Sequence, residues 1–200
     1  MLPAAVIDIG TNSVKLLVAA LDGERMRVLA DELRITRLGE DLRATGALSV
    51  AAMRRTVDAV AELLRLARES GAAEVAIVGT MGLRIATNAG EFTGMLRKAT
   101  GHTVQVLSGQ EEARLSYIGA TQALACAGQR LLVFDTGGGS TEFTAGDTGN
   151  ISYSLSLPLG AAFFTEMFLH RDPPAPEELE NLNTHLSREL KLHLPADAAD

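Results

Sequence analysis

The 200 residues carry 18 lysines and arginines against 25 aspartates and glutamates, a formal net charge of −7, and 46% of them are hydrophobic. That balance excludes a protein that coats nucleic acid or an anionic membrane, since both partners are held by clustered cations. The single cysteine, Cys126, excludes an internal disulfide and a thiolate zinc cluster; it reads as a small helix residue in a protein of the reducing cytoplasm. Met1 to Gly10 has no basic leader and carries Asp8 inside its apolar run, so it reads neither as a signal peptide nor as a membrane span.

In chain order, Ala4 to Ile9 reads as a strand, Gly10 to Ser13 as a tight turn, and Val14 to Ala20 as a second strand. Asp22-Gly23 is a hairpin signal, and Arg25 to Ile35 alternates as a third strand. Leu38 to Leu48 reads as a loop, after which Ser49 caps a helix to about Arg68 with Met53, Val57, Val60, Leu63, Leu64 and Ala67 on one face. A strand at Glu74 to Val78 opens onto Gly79-Thr80. Asn88 and Glu91 have capping-box spacing for the next helix, Val104 to Leu107 is a strand, and Ser108 starts a helix that reaches about Ala127. Leu131 to Phe134 is then a buried strand, with a second strand returning from Ser140 to Thr144. Ile151 to Leu157 is a strand, Ala161 to Leu169 a helix, and a last helix opens at Pro176 with Leu179, Leu182, Leu186, Leu190 and Leu192 broadly on one side. An Ala/Asp-rich tail follows.

Two stretches match: Asp8-Ile9-Gly10-Thr11-Asn12-Ser13 and Asp135-Thr136-Gly137-Gly138-Gly139-Ser140-Thr141 each follow an apolar run with an aspartate and then small or hydroxyl residues. One alone is an ordinary turn with an Asx bond; two at matching strand ends favour a duplicated phosphate cradle. The three glycines are expected to take positive φ and bring bare N–H groups up to a ligand, Ser140 and Thr141 to add hydroxyls, and Asp8 and Asp135 to hold Mg²⁺ directly or through water. In Ser108-Gly109-Gln110-Glu111-Glu112 the capping box gives Glu111 a structural task and leaves Glu112 free, near the positive end of the helix dipole. From this stretch alone, a favourable first-turn charge outweighs a general base at Glu112. Glu142 can reach the cleft or face solvent, and Arg84 can meet phosphate or water equally well. Arg25, Arg27, Arg34, Arg37 and Arg43 could supply a basic track for a polyanion, which the net charge of −7 does not otherwise attract, and read by default as a solvated face. His102, His170, His185 and His193 show no metal-ligand spacing, and there is no G-x-x-x-x-G-K-[ST], G-x-G-x-x-G or G-x-S-x-G.

Five segments, AVIDIGTNSVKLLVA from Ala5, VGTMGLRIATNAGEF from Val78, LSGQEEARLSYIGA from Leu107, LLVFDTGGGSTEF from Leu131 and SLPLGAAFFTEMF from Ser156, together resemble the exopolyphosphatase and guanosine pentaphosphate phosphatase family. That family lies within the actin, sugar kinase and heat-shock chaperone ATPase superfamily. The resemblance implies an α/β, duplicated ribonuclease H-like (actin-like ATPase) fold, with mixed sheets and flanking helices around a cleft. The first domain would span 1–126 and an incomplete second domain 127–200. It implies stepwise hydrolysis of the terminal phosphoanhydride of inorganic polyphosphate or guanosine pentaphosphate with Mg²⁺. Glu112 would be the catalytic base, and Asp8, Asp135 and Glu142 the acidic residues that hold the metal. Gly10, Thr11, Asn12, Ser13, Lys15, Arg84, Gly137, Gly138, Gly139, Ser140 and Thr141 would bind phosphate. Lys15 departs from the arginine of many relatives, which keeps the charge and loses bidentate binding.

Retention of Asp8, Glu112, Asp135 and Glu142 favours hydrolysis. The early end favours a binding-only module or a fragment, and a kinase would need an adenosine pocket that these residues do not provide. The implied partners are the phosphate substrates, with no nucleic acid and no membrane. Apolar surface on the incomplete domain leaves room for a homodimer.

Overall fold

The computed structural model describes residues 2–23, 25–123, 129–147 and 150–194. The meander is present as β1 (Ala4–Ile9), β2 (Ser13–Asp22) and β3 (Arg25–Ile35), with Ala5, Ile7, Ile9, Val14, Leu16 and Val18 buried. Alternation in β1 and β2 turns those six toward one layer, which α2 (Val50–Glu69) covers with Met53, Val57, Val60, Leu63, Leu64 and Ala67. Ser49 Oγ accepts the Ala52 N–H at 3.1 Å and so starts α2 where the sequence predicts. β4 (Glu74–Gly79) lies parallel to β1, and β5 (Gln105–Val106) parallel to β4, which gives the order β3-β2-β1-β4-β5.

Four local expectations change in this half. The predicted loop holds a short helix, α1 (Leu42–Thr45), and Thr80 is followed by another, α3 (Met81–Ile85). Asn88 precedes α4 (Ala89–Thr100) without a side-chain cap, because its amide is spent across the chain: Oδ1 accepts the Leu48 N–H at 2.8 Å and Nδ2 donates to Leu48 O at 3.0 Å. The fifth strand is only two residues long; Leu107 leaves it buried, its N–H bonded to Gly79 O.

The second sheet is antiparallel, in the order β6 (Leu131–Thr136), β7 (Thr141–Asp147), β8 (Asn150–Leu157). α5 (Gly109–Ala123) precedes this sheet in sequence yet packs on it: Thr144 Oγ1 donates to Ala113 O, and the Tyr117 hydroxyl to Asp147 O at 3.1 Å. Ala127 and Cys126, expected in this helix, and the tail at 195–200 lie outside the described residues. α6 (Ala161–Phe168) joins the two cores, placing Phe163 in the first and Phe164 in the second. On α7 (Pro176–His193), Leu182, Leu186 and Leu190 pack on the second core, while Leu179 and Leu192 face solvent, so the predicted stripe is narrower than five leucines. Among the described residues, no helix is long and apolar enough to cross a membrane.

Candidate active site

The two matching stretches form the same hairpin twice. Asp8 faces Lys15 and Ile9 faces Val14 in the first; Asp135 faces Glu142 and Thr136 faces Thr141 in the second. Each turn closes with the same bond, Gly10 N–H to Ser13 O at 2.9 Å and Gly137 N–H to Ser140 O at 2.8 Å. In each, the segment after the third strand takes the loop carbonyls. Gly39 N donates to Thr11 O, and Thr36 and Arg37 N to Asn12 O; Ala161 N donates to Gly137 O, and Ala162 and Phe163 N to Gly138 O. Carbonyls drawn back in this way leave loop amides facing the other way: among the described residues, no backbone carbonyl takes the N–H of Gly138, Gly139 or Ser140. Amides left bare in this way can receive the oxygens of an anion such as phosphate.

None of Gly137, Gly138 and Gly139 has the positive φ expected of them. Close approach is what demands glycine. A Cβ on Gly139 would lie 2.6 Å from Thr11 Oγ1, so the second loop rests directly on the first, and one on Gly160 would strike the backbone of Gly138 and Gly139.

Above the loops lies a cleft of ≈ 760 Å³. Ser108 and Glu111 form the reciprocal capping box, at 2.8 and 3.2 Å, and these bonds hold the Glu111 carboxyl below its usual range. Glu112, one residue on, lines the cleft, and its Oε2 accepts Arg84 Nη1 at 2.5 Å; the side chains are 17% and 18% exposed. Asp135 Oδ2 accepts the Ser116 hydroxyl at 2.6 Å. Glu142, 3% exposed, takes the Ser156 hydroxyl at 2.7 Å and that of Ser140; burial raises its pKa, those bonds oppose the rise, and Glu112 and Asp135 add to it. Burial also raises the Asp8 pKa, with Lys15 opposing and Glu112 and Asp135 adding, and Asp8 Oδ1 is buried without a hydrogen-bond partner.

A hard divalent cation fits this donor set. The facing groups are oxygens, the buried Asp8 Oδ1 has no hydrogen-bond partner, and the carboxylates that raise one another's pKa would be relieved by a cation. Among the described residues no three His, Cys, Asp or Glu side chains converge to cage a metal alone. Mg²⁺ does not need a cage, because it keeps waters and completes its shell with substrate phosphates.

The chain matches the Ppx/GppA phosphatase family over residues 17–197. It belongs to that family. It is 36% identical over 184 residues to exopolyphosphatase 2 of Mycobacterium tuberculosis, covering 88% of this chain and 57% of the relative. To the guanosine-5'-triphosphate,3'-diphosphate pyrophosphatase of Vibrio cholerae serotype O1 it is 37% identical over 163 residues, 81% of this chain and 32% of that one. The crystal structure of the Ppx/GppA family member of Aquifex aeolicus superposes with a TM-score of 0.77 at 33% identity, over 98% of this chain and 64% of that one. The chain thus spans little more than half the length of the exopolyphosphatases it matches.

On this Ppx/GppA chain, Asp8, Gly10, Thr11, Asn12, Ser13, Lys15, Glu112, Asp135, Gly137, Gly138, Gly139, Ser140 and Glu142 all line the cleft. Arg84 and Thr141 stand behind its wall. Arg84 is spent on Glu112 and on Leu107 O, and Thr141, 6% exposed, donates to Leu159 O, tying β7 to the turn before α6. Arg37, Glu40, Asp41 and Glu166 line the cleft without having been singled out as site residues. The signal that could have found their neighbourhood is a repeated dipeptide after the third strand of each meander: Leu38-Gly39 and Leu159-Gly160. Each glycine abuts its own loop, where a Cβ would strike Thr11 or Gly138.

Proposed function

We propose that this chain is the phosphate-handling part of a phosphoanhydride hydrolase that releases terminal orthophosphate from inorganic polyphosphate, with guanosine pentaphosphate as a second substrate of the same site. The observation that carries the reading is Glu112 on the wall of a cleft floored by two matched loops. The names of the relatives support the substrate pair. The two sheets are read as two ribonuclease H-like units, 1–126 and 127–200, with α5 crossing from the first in sequence to the second in packing.

The terminal phosphoryl group rests on the two loops, whose amides and hydroxyls hold its oxygens and align it for in-line attack. Arg84 pins one carboxylate oxygen of Glu112 and leaves the other to accept a water proton. As the water oxygen bonds to phosphorus, the bridging P–O bond breaks and its electron pair leaves with the shortened chain. Mg²⁺ held by Asp8, Asp135 and Glu142 would neutralise charge on the phosphoryl oxygens, which a cleft so rich in carboxylates otherwise repels. The setting proposed is the cytoplasm. The apolar strip of β6, with Leu132 54% and Phe134 67% exposed, supports self-association into a homodimer.

Orthophosphate release from long-chain polyphosphate tests the reading, with Glu112→Gln beside the unsubstituted chain and guanosine pentaphosphate as the second substrate. Loss of a general base removes about 10²- to 10⁴-fold of the rate. Equal release by both chains would refute Glu112 as the base. Tight binding without release would support the second reading, a binding module; among the described residues β6 pairs with β7 alone, whereas the equivalent β1 lies between β2 and β4.

A further inference from the structure

The hydrolase reading leaves one cation of the cleft without a task. Of the five arginines Arg25, Arg27, Arg34, Arg37 and Arg43, Arg37 alone lines it. Arg34 is bound to Glu62 and Glu32, and Arg43 lies over the Phe163 ring, 5.5 Å from its centre. The Arg37 guanidinium is exposed and, among the described residues, makes no hydrogen bond or ion pair. Carboxylates stand close by: Glu40 is bridged to Arg55 at 2.9 Å, and Glu166, which accepts the Asp41 N–H, feels the Arg37 charge through space without a hydrogen bond or ion pair to it.

The backbone at Arg37 is strained. Its φ is 48°, in the left-handed region that favours glycine, and it is held there by its own N–H on Asn12 O at 2.8 Å and by Glu40 N–H on its carbonyl at 3.1 Å. A costly conformation kept by an arginine rather than relieved by a glycine points to a use for the side chain. The bond to Asn12 fixes where that side chain starts, beside the first loop, and it reaches the cleft from there. Among the described residues, the other cation lining the cleft is Lys15, paired across the first hairpin with Asp8. Both cations thus line the cleft from backbone tied to the first hairpin, Arg37 through Asn12 O and Lys15 through its pairing with Asp8.

We propose that Arg37 binds the second phosphate of a linear polyphosphate, the group next to the one being released, with its planar fork on two oxygens. This rests on the hydrolase reading and deepens it. Arg37 is a binding residue that sets affinity for chains of two or more phosphates and leaves the chemical step alone.

Arg37→Gly and Arg37→Lys test the assignment. Glycine adopts φ 48° freely, so Arg37→Gly melts at or above the unsubstituted chain, which separates lost binding from lost folding. Its affinity for tripolyphosphate, titrated calorimetrically, falls about tenfold, the loss of one charge-assisted contact. KM for long-chain polyphosphate rises by a similar factor, kcat stays within about twofold, and orthophosphate binding is unchanged. Arg37→Lys recovers part of the loss. Equal tripolyphosphate affinity and KM in Arg37→Gly and the unsubstituted chain would overturn the role of Arg37 and leave the hydrolase reading standing. An equal loss for orthophosphate and tripolyphosphate would overturn the assignment to the second phosphate. No tripolyphosphate binding by the unsubstituted chain would overturn both.

Discussion

Arg84 and Glu112 form one charge-assisted hydrogen bond, Nη1 to Oε2 at 2.5 Å, and the same nitrogen donates to Leu107 O at 3.0 Å. Arg84 is thereby anchored to the chain just before α5, and Glu112 is anchored to Arg84. The arginine from α3 steers the carboxylate without itself lining the cleft.

Arg84→Ala should therefore act on turnover. Freed from its partner, Glu112 loses a fixed direction, and misplacement of about 1 Å costs up to about 10²-fold in rate. The expected result is a fall in kcat with KM nearly unchanged. A rise in KM at constant kcat would make Arg84 a phosphate ligand instead. Steady-state kinetics on polyphosphate separates the two.

Thr141→Val keeps the shape of the side chain and removes the hydroxyl that β7 gives to Leu159 O. A buried carbonyl left without its donor costs about 1–3 kcal/mol. For a chain of this size each lost kcal/mol lowers the melting temperature by about 2–4 °C. Tripolyphosphate affinity should hold. A loss of affinity at unchanged stability would return Thr141 to the phosphate site.

Glu166 supplies a pH dependence. Burial raises its pKa, with Asp41 and Glu40 adding to the rise and the Asp41 N–H and Arg37 opposing it. The folded chain therefore holds this proton more tightly than the unfolded one, and stability from this group is lost as pH climbs from the ordinary glutamate value of 4.5 through the raised one. Glu166→Gln, which cannot ionise, should melt above the unsubstituted chain at neutral pH, and the difference should close as pH falls below that window. Thermal melts of both across pH check this; a difference that widens in acid would contradict it.

Phe134 bears on self-association. It is 67% exposed and stacks only on Phe143, at 6.5 Å between ring centres, on the strand whose outer edge has no neighbour among the described residues. Phe134→Lys places a charge on that strip. Sedimentation over a wide range of concentration should show association in the unsubstituted chain and a monomer in the variant.

What could be read from the residues was what short-range physics decides. Short apolar runs at Ala4 to Ile9 and Leu131 to Phe134 place strands, though the second, expected buried, leaves Leu132 and Phe134 exposed; Ser49 starts its helix, and the Ser108–Glu111 box frees Glu112 for the cleft, all within a few residues of chain. Less legible is the side chain that takes a distant partner over a near one. Asn88 has capping spacing with Glu91 and bonds Leu48; Thr141 follows the glycines and bonds Leu159; Arg84 follows a strand and bonds Glu112. The glycine run was legible as a close approach and misread as positive φ, because the neighbour that forbids a Cβ, Thr11, comes from the other hairpin.

Lys15 and Glu142 occupy the same station in the two hairpins, each directly across from an aspartate. Two identical hairpins meeting base to base would make a symmetric pocket, with the same charge on either side. A metal phosphate is not symmetric: one flank needs a cation for its oxygens, the other anions for its metal. Exchanging a base for an acid at one station gives the pocket a polarity, so a phosphate bound there would have a front and a back. On the proposed reading, direction along a uniform chain, the ability to tell an end from a middle, would begin with that single difference in sign.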